Sequence, residues 1–164
     1  RHLGGGEVGP AAAELAQATR LLGDGGDRGL WAWSQRLAAL VQAVAGDGEA
    51  ALASAGEALS FHRQAVRRRH MALDLEALAA AHVARDAMAE ACAALAAADV
   101  LWAAIGLPRP YASRRLVSTL GDRTAAALDP AAAADARSAG AATGEAEASA
   151  AAQRVAGLAG QGKA

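Results

Sequence analysis

Four histidines, one arginine cluster and three carboxylate pairs, Glu7 with Glu14, Asp74 with Glu76 and Glu145 with Glu147, are the groups in this chain whose types suit chemistry. His70 and His82 lie twelve residues apart on one predicted helix, more than three turns, so they cannot share a metal ion. His62 reaches His70 only if the chain turns a corner between them. There is no HExxH and no Cys/His pair, and no metal site is expected. Arg63, Arg67, Arg68 and Arg69 form the one basic cluster. Guanidinium groups match phosphate geometry, but only Phe61 stands beside them, so a base-stacking platform for single-stranded nucleic acid is not indicated. Asp74 and Glu76, like Glu145 and Glu147, are two apart and point to different sides of a helix, so neither pair forms an acid/base couple. No serine sits in a GxSxG turn, and the glycine runs at 4–6 and 23–26 precede no strand. No catalytic residue and no cofactor is therefore assigned. Trp33 and Trp102 are expected to pack between helices, with Trp31, two positions from Trp33, facing elsewhere. Cys92 sits among alanines as a buried, inert thiol.

The 164 residues suffice for one domain. Alanine dominates the 54% hydrophobic content, and aromatics are 3%, so the expected core is thin. Alanine's helix propensity offsets part of that weakness. Sixteen basic against 17 acidic residues give a net charge of -1, with no overall drive toward nucleic acid or anionic membrane. The single cysteine allows no internal disulfide and suggests a reducing, cytoplasmic compartment. The start RHLGGGEVGP has no apolar core of a signal peptide, and no run of eighteen bulky apolar residues suggests a span. A beginning at Arg1 suggests a fragment or processed chain.

The elements that must position these groups are all helical. Residues 1–9 are expected to fray, and Pro10 suits a first turn. Helices are predicted over about 11–22, 30–45, 49–66, 70–84, 88–105, 111–127, 130–139 and 145–157, with a disordered tail at 161–164. The apolar stripe of the second is Trp33, Leu37, Leu40, Val41 and Val44. Asp129-Pro130 is the strongest start signal, and Gly140 to Gly144 is expected to break the chain again. Ala84-Arg85-Asp86 is too short to cross a domain, so its flanking helices are antiparallel neighbours. Gly6-Glu7, Gly46-Asp47 and Arg85-Asp86 recur about 39 to 40 residues apart, the signature of paired-helix repeats.

Residues 30–160 resemble the C-terminal helical region of actinobacterial large ATP-binding regulators, of LuxR type or transcriptional-activator type. The matching pieces are GLWAWSQRLAALVQAVAGDGEAALASAGEAL, ALDLEALAAAHVARDAMAEACAALAAADVLWAAIGLPRP and LGDRTAAALDPAAAADARSAGAATGEAEASAAA. The resemblance implies tetratricopeptide-like repeats attached to a nucleotide-binding ATPase module and often to a helix-turn-helix. Neither a GxxxxGK[ST] loop nor a DNA-binding helix pair occurs here.

The expectation is therefore an all-α antiparallel helix-pair solenoid of seven to eight helices in a right-handed superhelix. One repeat domain spans 10–160, with pairs at about 30–66, 70–105 and 111–139. Its expected function is a non-enzymatic sensor or interaction scaffold. A protein or small inducer would bind its concave face and shift the neighbouring ATPase; no direct nucleic-acid or membrane binding is expected. The predicted groove uses Trp31, Gln35, Gln42, His70, Asp74 and His82, with Arg63, Arg67, Arg68 and Arg69 as a basic rim. The alternative is a stand-alone helical enzyme or small-ligand domain using His70, His82 and the arginine corner.

Overall fold

A turn signal recurs every 20 residues through the middle of the chain. Gly46, Val66, Asp86 and Gly106 all have positive φ, at 85°, 54°, 56° and 69°. At the first three, the same pair of backbone bonds closes the preceding helix. Gly46 N–H donates to Ala43 and Asp47 N–H to Gln42; Val66 to Arg63 and Arg67 to His62; Asp86 to Val83 and Ala87 to His82. This is the Schellman closure, which satisfies helix-end carbonyls through one left-handed residue. Only two of the four positions hold glycine, which takes that conformation without steric cost.

The computed structural model describes the backbone of residues 5–23 and 25–161. Among the described residues there are seven helices: α1 (Gly5–Gly23), α2 (Arg28–Ala45), α3 (Gly48–Gln64), α4 (Arg68–Ala84), α5 (Met88–Ile105), α6 (Tyr111–Ala127) and α7 (Pro130–Gln161). No strand occurs among the described residues. Asp27 caps α2 by accepting from the Gly29 and Leu30 amides, and Asp47 caps α3 by accepting from Ala50. Asp129 accepts from Ala131 and Ala132 at the start of α7, as its sequence indicates.

Several boundaries differ from expectation. Residues 5–9 are helical, Pro10 lies inside α1, and Gly6-Glu7 is helix rather than a turn. The expected break at 140–144 is absent, so the two closing helices are one. Gly140 and Gly144 interrupt helix propensity but enable packing. A Cβ on Gly140 would overlap the Ala93 carbonyl, and one on Gly144 would crowd Ala97 and Val100. The glycines let α7 lie directly on α5, and that contact offsets their propensity cost of about 1 kcal/mol each. The helix continues past 157 to Gln161; residues 162–164 of the expected tail lie outside the described residues.

Each of α1 to α5 packs on its successor, and α5 packs on both α6 and α7. In addition α2 packs on α4, and α4 on α6. Alanine fills much of the core, around Met71, Leu75, Leu101 and Trp102 in one cluster and Val83, Leu95 and Leu120 in another. Among the largest fully buried side chains only Met71 and Leu101 are apolar; His62, Glu76, Asp74 and Ser34 are the others. By length and composition α5 could cross a membrane, but its apolarity is largely alanine and it is packed against α4, α6 and α7.

Candidate functional site

Because α2 packs on α4 and α4 on α6, residues nearly forty positions apart meet directly. Arg36 of α2 contacts Asp74 of α4, 38 positions on, and Glu76 contacts Ser113 of α6, 37 positions on. The three helices enclose an open groove of about 560 Å³. One end holds Arg36, Glu76 and Ser113; the other holds Val44, Ala84 and Arg123. Between them the walls are apolar: Leu40, Leu73, Val83, Leu116 and Leu120. The volume falls in the range of small-molecule sites.

Two buried carboxylates of α4, Asp74 and Glu76, face different neighbours. Asp74 is wholly buried. Its Oδ2 accepts from His62 Nδ1 at 2.6 Å, and its Oδ1 faces Arg36 Nη1 at 3.3 Å. The same Nη1 stands 3.4 Å from His70 Nδ1, and the His62 and His70 rings stack with centroids 4.7 Å apart. Burial raises the Asp74 pKa above 3.8, opposed by the His62 hydrogen bond and the His62 and Arg36 charges. Burial, followed by the charges of His62, Arg36, Arg67 and Arg69, lowers His70 to about 4. A neutral His70 is the form that can accept from Arg36. His62 Nε2 is buried without a partner, a polar atom left unsatisfied inside the fold.

Glu76 is bound by a different chemistry. It accepts from Trp102 Nε1 at 2.8 Å and from Ser113 Oγ at 2.5 Å. Arg109 Nε forms an ion pair at 2.9 Å but is not aligned as a hydrogen bond, while Arg109 Nη2 donates to Asp99 at 2.6 Å. This clasp joins α4, α5, the α5–α6 connection and α6.

The groove lies on predicted helices but not on the predicted residues. Asp74 is buried in the fold rather than displayed. Gln35 and Gln42 line a separate cleft of about 250 Å³ between α1, α2 and α3, where Gln35 bonds Glu57. Trp31 is half-buried beneath the Arg28 guanidinium and beside Gly23. His82 is half-buried at the end of α4, its Nδ1 unpartnered, with burial and Arg85 lowering its pKa against Glu90. His70 lines a small cleft with Leu30, Trp33 and Arg67. Trp33 is 45% exposed, contrary to its expected place between helices, while Trp102 and Cys92 are buried. On α2 the buried face is Ala32, Ser34, Arg36 and Ala39, about one residue out of phase with the bulky stripe. Of the basic rim, Arg63 pairs with Glu147 of α7 at 2.5 Å, and Arg67 reaches the cleft; Arg68 and Arg69 line neither cavity.

Arg36, His62 and Glu76 had no role in the sequence reading. Their signal was present: a charge at Arg36 inside an apolar stripe, and two carboxylates inside an alanine-leucine helix. A charge placed where the pattern calls for core needs a buried partner. No group of three or more His, Cys, Asp or Glu suited to a metal occurs among the described residues. No protein-family model matches the chain, and no curated protein and no solved structure matches it.

Proposed function

We propose that this chain is a non-enzymatic binding scaffold whose working surface is the groove over α2, α4 and α6. The observation that carries the proposal is that the groove is open and crosses three helices that are not consecutive in sequence. Parallel helices one pair apart, with turns repeating at 46, 66, 86 and 106, support an antiparallel helix-pair solenoid of the tetratricopeptide-like kind. In that architecture the first helix of each pair lines the concave side, in a right-handed superhelix. The proposed role is a sensor: a protein or small inducer occupying the groove favours one arrangement of the helices and biases an attached module. Resemblance to large ATP-binding transcriptional regulators suggests that the module is an ATPase of the same parent chain. The enzyme alternative loses support because His70, His82 and the arginine corner are not gathered in one closed pocket.

Two experiments test this. A library of amphipathic helical peptides is selected on the full chain. Binders should be lost in a Val44→Asp, Leu116→Asp double variant whose helicity by circular dichroism is unchanged. Binders that survive the double variant would place recognition elsewhere and overturn the reading. The reading frame preceding Arg1 tests the regulator assignment: an in-frame phosphate-binding loop of the GxxxxGK[ST] type is the expected result, and a start codon immediately upstream would remove that assignment.

A further inference from the structure

Arg36 is an unusual wall for an apolar groove. Its side chain is 8% exposed, yet its protein contacts, to Asp74 and His70, both leave from Nη1 and are long, at 3.3 and 3.4 Å. Arginine offers five N–H donors in a planar fork that matches a carboxylate. Nε and Nη2 have no protein acceptor among the described residues, and neither is sealed from solvent, whereas the buried Nε atoms of Arg63 and Arg109 are. Arg36 lines the groove, so these remaining donors are what its guanidinium has to offer a ligand there. Glu76, the acidic residue in the groove lining, already has Trp102, Ser113 and Arg109. The charged residues that line the groove are Arg36 and Arg123 against Glu76.

We infer that the groove binds an elongated apolar monocarboxylate, its head on the free donors of Arg36 and its chain along Leu40, Val44, Leu116 and Leu120. The inference rests on the reading of the groove as the binding surface. Eight residues separate Arg36 from Val44, about 12 Å along α2, which suits an alkyl chain of about ten carbons. Asp74 and His70 hold the guanidinium from behind, so the head group meets a cation already oriented. Arg123 at the far mouth adds to the attraction for an anion as it approaches.

The test titrates decanoate, decanol and decylamine into the full chain below their aggregation thresholds, by calorimetry and tryptophan fluorescence. The fluorescence is read in a Trp31→Phe, Trp33→Phe background, so that the signal comes from Trp102, which bonds Glu76 of the groove wall. The expected result is one saturable decanoate site, at least about tenfold tighter than decanol, the order expected for one charge-assisted contact, with decylamine weaker still. Val44→Asp, at a side chain 60% exposed, should weaken decanoate without unfolding the protein. Arg36→Lys keeps the charge opposite Asp74 but loses the fork, and should reduce the preference of decanoate over decanol. Equal binding of decanoate and decanol, still lost in Val44→Asp, would overturn the carboxylate inference and leave the groove as the binding surface. Decanoate binding unchanged by both substitutions would overturn the inference and place the site elsewhere. Peptide binding that survives the Val44→Asp, Leu116→Asp variant would count against the groove itself.

Discussion

Asp74 and Glu76 stand two residues apart on α4, both buried, and are neutralised by opposite means. Asp74 is met by one histidine, His62, and by the looser end of an arginine that also contacts His70 and lines the groove. Glu76 is met by an indole, a hydroxyl and an arginine, none of which changes protonation near neutral pH. The first cluster joins α2, α3 and α4 and leaves His62 Nε2 unsatisfied. The second joins α4, α5 and α6, and its arginine retains a second partner in Asp99. The contrast separates an adjustable joint from a fixed one: acidity acts on the Asp74 side and leaves the Glu76 donors unchanged.

Removal of each carboxylate gives the largest contrast. Asp74→Ala leaves Arg36 and His62 buried without their anion and should destabilise by about 3–5 kcal/mol. Glu76→Ala should lose less, about 1–3 kcal/mol, because Arg109 keeps Asp99 and is partly open to water. Urea unfolding of the two variants measures both, and a larger loss at Glu76 would break the comparison.

The next effect comes from the corner that delivers His62. Val66 is a β-branched residue with φ 54°, in the region that L-residues avoid. Val66→Gly should raise stability by about 1 kcal/mol, the strain released exceeding the loss of a half-buried side chain. Trp102 emission, which reports the Glu76 clasp, should not move. A variant with a lower unfolding midpoint would show that the valine contributes more through packing than it costs in strain.

The smallest effect is a slope with pH. His70 lies at about 4 in the fold against an ordinary 6.5, so the unfolded chain binds its proton first. Its contribution is fully present above 6.5 and is lost as pH falls toward 4. His82, also lowered, acts in the same direction. Asp74, raised above 3.8, acts in reverse: the native chain binds that proton first, so its contribution falls as pH rises through the window above 3.8. His70→Gln should therefore reduce the loss of stability on acidification between 6.5 and 4. An unchanged slope in chemical-denaturation midpoints would remove His70 from the adjustable joint.

Much of the helix order was legible because punctuation in this chain is strong. Gly46-Asp47, Gly106 with its following prolines, and Asp129-Pro130 each mark an end by a local mechanism. Helical phase was much harder to assign. On α2 the bulky residues Leu30, Trp33 and Val44 are exposed while Ala32, Ser34 and Ala39 are buried, because close helix contact selects small residues. An apolar stripe then marks the open face as much as the core, and the residues expected to line a groove lie on other sides of their helices than the lining of the α2–α4–α6 cavity. Gly140 and Gly144 misled for the same reason: a break in propensity was a requirement of packing. The buried charges required partners from distant parts of the chain: Arg36 of α2 and His62 of α3 for Asp74, and Trp102, Arg109 and Ser113 for Glu76.

The ion pair between Arg63 and Glu147, with Arg154 donating to the Arg63 carbonyl at 2.5 Å, sets an order of assembly during synthesis. Arg36 can meet Asp74 once 38 further residues have been made, and His62 after only 12. Arg63 must wait 84 residues for Glu147 and 91 for Arg154. At the usual elongation rates of about 5–20 residues per second, the first 84 residues of that wait last roughly 4–17 s. During that interval the Arg63 side chain is without Glu147, while its carbonyl has only the Val66 amide that closes α3.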